Sequence, residues 1–297
     1  MTTVDPRPRA GLRDYIGLTK PRIIELLLVT TVPTMMLAAG GWPDLGLALW
    51  TLLGGALAAA GANVLNCYVD ADIDALMPRT AHRASATGAV TPGQTVAFGL
   101  ALSALSISVL LLFANALAAS LAALAIIFYA GVYSLILKRR TAQNIVWGGI
   151  AGCFPVLIGW AAITSELAPA AWLLFLVIFL WTPPHYWPLA IQYREQYARA
   201  EIPMLPVVAT DAHVAKQIRW YSLAMVAASL PLIAYTGWVY ALGAVLSGAW
   251  FLFLVLRFER SLTKGVATGK QAMRVFHGSI SYLALLFLAV GLDPLLS

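Results

Sequence analysis

Three side chains carry the first chemical signal in this chain. Asn66, Asp70 and Asp74 recur at i, i+4 and i+8 within GANVLNCYVDADIDALMPRTAHR, residues 61–83. On a helix of 3.6 residues per turn they spread over about 80° and form one stripe, with Asp72 on the opposite face. The helix is expected to stop before Pro78. Three acceptors in a row repel one another unless a positive charge joins them. An all-oxygen set suits a hard cation such as Mg²⁺, with waters and a substrate phosphate completing its shell. Arg79 and Arg83 follow within a turn or two, placed to meet the oxygens of a diphosphate rather than to quench the aspartates. The bland alternative is a solvated loop of mixed charge. Against it, the aspartates continue an apolar run and Asn66 extends the stripe inward.

A second polar group lies in WTPPHYWPLAIQYREQYARAEIPMLP, residues 181–206. Pro183, Pro184 and Pro188 predict a kinked or broken helix, with Thr182 capping a restarted one. Broken backbone at membrane depth is tolerated where it is buried in protein or lines a cavity. From His185 onward, Gln192, Gln196 and Arg199 follow on one helical face, flanked by Tyr193 and Glu195. A lone buried histidine is often a hydrogen-bonded core residue, but His185 sits at the expected break, and histidine is a common haem ligand. His82, His213 and His277 read as solvated. Lys138, Arg139 and Arg140 close another apolar run, as a topology anchor, as a second cationic wall for a diphosphate, or as both. Cys67 and Cys153 read as unpaired small hydrophobes.

These residues need elements to position them, and the composition says which kind. Only 11% of the 297 residues are charged and 61% are hydrophobic, whereas a soluble domain carries about 25% charged residues. That excludes an ordinary soluble domain, a disordered chain and a disulfide scaffold. Continuous apolar runs near 20 residues also disfavour an outer-membrane barrel. The expected fold is an all-α polytopic membrane protein with nine spans near 24–40, 46–66, 93–113, 116–137, 144–163, 169–187, 220–237, 239–256 and 278–296. All 19 Lys and Arg fall in the N-terminal tail and in the 67–92, 138–143, 188–219 and 257–277 loops. The opposite loops carry Asp44, Glu166 and Asp293 instead. The positive-inside rule puts the N-terminus in the cytoplasm and the C-terminus outside, as an odd span count requires. The expected organisation is a basic tail (1–22), which does not read as a signal peptide, and one membrane domain (23–297). Its long loops, 67–92 and 188–219, cap the cytoplasmic face.

The chain resembles the UbiA-type intramembrane prenyltransferase superfamily and, within it, the protohaem IX farnesyltransferase branch. The matching stretches are LTKPRII (18–24), NCYVDADID (66–74), MPRTAHR (77–83), LKRRTAQNIVWGGIAGCFPVLIGWAA (137–162), TPPHYWPLA (182–190) and IPMLPV (202–207). The Asn–Asp–Asp stripe alone places a chain only in the superfamily; the later stretches point to the haem-modifying branch. The resemblance implies helices around a central cavity capped on the cytoplasmic side of a bacterial-type inner membrane. It implies Mg²⁺-dependent transfer of a farnesyl group from farnesyl diphosphate to a vinyl group of haem b. Asn66, Asp70 and Asp74 would be the catalytic, metal-holding set. Arg79, Arg83, Lys138 and Arg139 would contact the diphosphate and His185 the haem. Farnesyl diphosphate, haem b and the lipid bilayer are the implied partners; a haem-modifying or oxidase-assembly protein is compatible with them, and nucleic acid has no role.

Two departures from the family pattern stand out. A second Asp-x-x-x-Asp is common between the sixth and seventh spans; here that region offers Glu195 and Glu201, with glutamines at 192 and 196. Glu195 is the candidate for a second acidic site. Ala84 stands where the haem branch usually has proline, a change expected to alter loop stiffness and not chemistry. Two other functions fit the residues less well. An aromatic or quinone-precursor prenyltransferase would share the stripe but has no need of His185 in a TPPH context. A secondary transporter should show paired discontinuous helices in two related halves, and no repeated pair is visible.

Overall fold

The structure, a computed structural model, describes residues 10–265 and 269–296, with backbone alone for 22–28. Regular structure among the described residues is helical throughout. A short surface helix, α1 (Leu12–Thr19), leads into α2 (Pro21–Ala39) and α3 (Leu45–Val69). Two short helices follow, α4 (Ala71–Leu76) and α5 (Ala84–Thr87). Next come α6 (Pro92–Phe113) and α7 (Ala116–Ile127), which continues as a π-helix over Phe128–Leu137. Then come α8 (Asn144–Gly148), α9 (Ile150–Thr164) and α10 (Pro169–Gln192). The last part holds α11 (Arg194–Arg199), α12 (Leu205–Val208), α13 (Asp211–Ser229) with a 3₁₀ extension to Tyr235, α14 (Trp238–Thr263) and α15 (Gly269–Leu296).

Among the described residues, eight helical segments are long and apolar enough to cross a membrane, from Leu45–Val69 to Gly269–Leu296. The first expected span corresponds to α2, whose described apolar stretch, Val29–Ala39, is shorter. The long helices close a ring in chain order. α2 packs on α3, α3 on α6, and so on through α7, α9, α10, α13, α14 and α15, which returns to α2. α9, α10 and α15 are the most buried; α6, α7 and α13 turn most of their surface outward.

Small residues set the closest approach, between α3 and α6. A Cβ on Gly61 would lie 2.5 Å from Ser103 Oγ and 2.9 Å from the Gly99 carbonyl. Ser106 Oγ donates to the Gly54 carbonyl at 2.7 Å, one helix reaching directly to the backbone of the other. Buried Asp293 accepts from Gly237 N (2.6 Å) and Tyr240 N (2.9 Å), capping α14 from the last turns of α15.

Three expectations are corrected. α10 is not broken: it runs unbroken through Pro183, Pro184 and Pro188. Thr182 does not cap a restart; its hydroxyl bonds back to the Ile178 carbonyl at 3.1 Å, as Ser and Thr do within apolar helices. Second, the seventh and ninth helices start earlier than their apolar runs, at Asp211 and Gly269. Their first turns are polar yet helical, with the Thr210 hydroxyl capping α13 through His213 N. Third, the stripe from His185 to Arg199 does not form, because the chain turns at Tyr193 between α10 and α11. Arg199 is exposed, and Gln192 rests against Gly269.

Candidate functional site

The site gathers at the end of α3. Its last helical residue is Val69, and Asp70 takes φ −95° and ψ 5° before α4 begins. The Asp74 N–H still donates to the Asp70 carbonyl at 2.8 Å, so the stripe bends there without losing its register. Asn66, Asp70 and Asp74 are all buried, and Asp72 faces outward, as the spacing predicts. Asn66 Nδ2 donates to Asp70 Oδ2 at 2.7 Å and to Ser134 Oγ at 2.8 Å.

Cations surround this stripe. Lys20 Nζ donates to Asn66 Oδ1 at 2.6 Å, Lys138 Nζ to Asp70 Oδ2 at 2.5 Å, and Arg83 Nη1 to Asp74 Oδ2 at 2.7 Å. Arg139 forms a two-pronged pair with Asp72 instead, 2.7 Å on each prong, and also donates to the Val69 carbonyl. The expected diphosphate contacts Arg83 and Lys138 thus lie on the stripe, while Arg139 lies on its outer side. Arg79 is exposed, with its guanidinium 5.3 Å from the centre of the Tyr193 ring. Burial pulls the Lys20 ammonium below its usual range. Burial also acts against the Arg83 charge, but the Asp74 carboxylate outweighs it and the net shift is upward. The Arg139 hydrogen bonds hold the Asp72 carboxyl below the usual carboxylate range.

Local backbone explains the placement. Lys20 joins α1 to α2 in the left-handed region at φ 54°, a conformation uncommon for a side chain of this kind, and this delivers its ammonium to Asn66. The π-helix after α7 puts Ser134 and Lys138 on the stripe. Ser134 Oγ bonds to the Tyr129 carbonyl and the Lys138 N–H to the Tyr133 carbonyl, both five residues back. Gly148 leaves room for the Tyr133 ring, which lies where a Cβ would stand. Gly149 does the same for Thr182. Lys20, Ser134 and the tyrosines 129, 133 and 186 were not singled out from the sequence. The KPR of LTKPRII and the two glycines of VWGG were the available signals.

His185 occupies a separate, buried position between α10 and α15. Its Nδ1 lies 2.8 Å from Ser279 Oγ, with Trp181 stacked at 4.1 Å and Phe276 at 4.5 Å between ring centres. Tyr186 meets its edge at 5.9 Å. Glu195 is exposed and makes only a loose i, i+4 pair with Arg199 at 3.9 Å. The neighbouring Gln196 is the one turned inward, with its buried Oε1 unpartnered among the described residues. Burial pushes the nearby Tyr197 phenol up to about 12. His82, His213 and His277 are exposed and both cysteines are free and buried, as expected. An apolar groove of about 680 Å³, lined by Leu167, Trp172 and Tyr235 among others, lies at the Pro169 end of α10 and holds no charged group.

The stripe fits a hard cation by its own chemistry. Asp70 Oδ1 is buried with no hydrogen-bond partner among the described residues, so a carboxylate oxygen is left free beside Asn66 and Asp74. No group of three or more His, Cys, Asp or Glu converges among the described residues. Two carboxylates plus substrate phosphate oxygens are nonetheless the usual protein share of a Mg²⁺ shell.

A ring of apolar helices with a buried Asn–Asp–Asp stripe and a cationic surround defines a class of membrane enzyme. Residues 27–280 match the UbiA prenyltransferase family, and the chain belongs to it. Among its relatives, the protoheme IX farnesyltransferase of Paenarthrobacter aurescens (strain TC1) is 54% identical over 284 residues, 95% of this chain and 89% of that one. The protein of the same name from Streptomyces avermitilis is 52% identical over 290 residues, 97% and 95% of the two chains. The fold is similar to a UbiA homologue from Aeropyrum pernix K1 (TM-score 0.70, 19% identity, 91% and 96% covered). It is also similar to one from Archaeoglobus fulgidus bound to GPP and Mg²⁺ (TM-score 0.66, 17% identity, 93% and 99% covered).

Proposed function

We propose that this chain transfers the farnesyl group of farnesyl diphosphate to a vinyl group of haem b, with addition of water, giving haem O for haem-copper oxidase biogenesis. The carrying observation is the 52–54% identity, over nearly the whole chain, to proteins named protoheme IX farnesyltransferase. The buried stripe with its cations supports the diphosphate half of the reaction, and His185 the haem half.

In this reading Asn66, Asp70 and Asp74 hold Mg²⁺, and Arg79, Arg83, Lys138 and Arg139 take the diphosphate oxygens. Lys138 and Arg83 are already on the stripe; Arg139 would exchange Asp72 for phosphate. Glu195 would serve as a second acidic group after turning inward from the surface. Bound Mg²⁺ supplies charge neutralisation of the leaving diphosphate. Lys138 and Arg83 stabilise the same charge as the allylic C–O bond breaks and its electron pair leaves with the diphosphate. The vinyl π electrons then form the new C–C bond, water captures the resulting cation, and the extra proton leaves with the diphosphate or solvent. The bundle excludes water from the first cation and holds both substrates in register.

Tyr129 and Tyr133 support a central cavity. They are part-buried, with ring centres 5.5 Å apart, on the π-helical stretch that also carries Ser134. Aromatic faces there would also stabilise an allylic cation. The sorted charges support nine crossings of a bacterial inner membrane, with the N-terminus and the site on the cytoplasmic side and the C-terminus outside. The test is a product assay. Purified protein with haem b, farnesyl diphosphate and Mg²⁺ should yield a haem heavier by the hydroxyethylfarnesyl change. Turnover of an aromatic acceptor without that product would overturn the reading.

A further inference from the structure

The surroundings of His185 decide which of its two nitrogens carries the proton. Ser279 Oγ lies 2.8 Å from His185 Nδ1 and 2.6 Å from the Phe276 carbonyl. A serine hydroxyl has one proton and a carbonyl oxygen can only accept. The serine proton therefore goes to Phe276, and Oγ presents a lone pair to the histidine. Nδ1 must then be the N–H, so a neutral imidazole holds its own lone pair on Nε2. The arrangement is braced. Trp181 Nε1 donates to the Ser279 carbonyl at 2.7 Å, and the same Trp181 ring stacks on His185. Trp181 and Phe276 both lie parallel to the imidazole within 4.5 Å, so they cover its two faces and leave only the edge to meet a ligand. A histidine that donates Nδ1–H to an oxygen, with Nε2 unpartnered among the described residues, has the tautomer and orientation of a metal ligand.

We propose that His185 Nε2 is an axial ligand to the iron of the porphyrin substrate, and that Ser279 is the positioning residue that fixes this tautomer. The proposal rests on the haem b reading above. The bond is a donation of the Nε2 lone pair to iron; no proton or electron is transferred. It would fix the porphyrin plane across the α10–α15 seam and so set where its vinyl edge lies relative to the Asp70 stripe.

The full-length protein in lipid nanodiscs is titrated with haem b and read by absorption and electron paramagnetic resonance. Wild type should show a histidine-ligated iron spectrum. His185→Ala should lose that spectrum and regain it with added imidazole. Ser279→Ala should weaken haem binding about tenfold, the low end for loss of an outer-shell partner, while Ser279→Thr, which keeps the hydroxyl, stays near wild type. His277→Ala, at an exposed neighbour, should leave the spectrum unchanged. An iron spectrum indifferent to His185→Ala, or equal losses in Ser279→Ala and Ser279→Thr, would overturn the proposal. Either result could occur with haem farnesylation intact, whereas failure to form any farnesylated haem in wild type would instead overturn the reading beneath it.

Discussion

At the scale of single residues, the site is a set of ion pairs between acidic residues and their cations. Asp70→Asn and Asp74→Asn should each lower farnesyl transfer by at least about 10²-fold, the scale for loss of one preorganised electrostatic group, while membrane insertion is unchanged; product mass and membrane-fraction blots check both. Lys138→Met leaves Asp70 buried without its cation, which costs about 3 kcal/mol when one partner of a buried pair is removed. A lowered Tm and lost turnover should appear together. Arg139→Ala breaks a pair with Asp72, which is 65% exposed. Its stability cost should stay below about 1 kcal/mol. Asn66, Asp70 and Asp74 were legible because spacing alone sets a helical face. Lys20 was not, because its reach depends on a left-handed linker that no pattern announces. The pairing of Lys138 and Arg83 with the aspartates was not legible either. Sequence spacing puts the cations near the stripe but does not say which carboxylate each one meets.

At the scale of elements, close approach and irregular turns place the chemistry. Gly148→Ala would drive a methyl group into the Tyr133 ring. A ring held in a π-helix cannot swing aside as a flexible chain could, so the cost should be about 1–3 kcal/mol of overpacking. Thermal melting should register it, and turnover should fall with it because Tyr133 adjoins Ser134. Helix positions were legible from hydropathy to within a few residues where an apolar run ends at a turn, as at Phe113 and Ala116. They were not legible at Asp211 and Gly269, where polar turns remain helical. The prolines of α10 misled for a related reason. Proline removes a donor, but packing on α9, α13 and α15 holds the helix through the gap, and sequence does not show that packing.

At the scale of the whole molecule, the ring closes because α15 returns to α2, and the charge sorting supports the orientation proposed above. Cys67 and Cys153 are buried, so a cysteine introduced at the surface can report sidedness. Glu166→Cys should react with an impermeant maleimide in intact cells stripped of the outer membrane, and His213→Cys only after lysis. The reverse pattern would contradict the proposed orientation. Ring closure also predicts that deleting the last five residues, which removes Asp293 and the α14 cap, destabilises α14 and α15 together. That loss should appear as a single lowered melting transition rather than as fraying of one helix.

On the proposed function, the ion pairs of the stripe have a further consequence for what can bind there. Lys138 on Asp70 and Arg83 on Asp74 already match the two carboxylates charge for charge, and the Lys20 ammonium on Asn66 adds one more cation. A bare divalent cation arriving alone must displace ammonium and guanidinium groups that then have no anion to move to. A cation arriving with a diphosphate brings that anion along, and the displaced groups have somewhere to go. On the function proposed above, the stripe should therefore distinguish an ion alone from an ion–diphosphate complex. Mn²⁺ as a spin probe should bind weakly alone and much more tightly with inorganic pyrophosphate. On that reading, free divalent ions alone would not fill the stripe, and the diphosphate would bring its own ion.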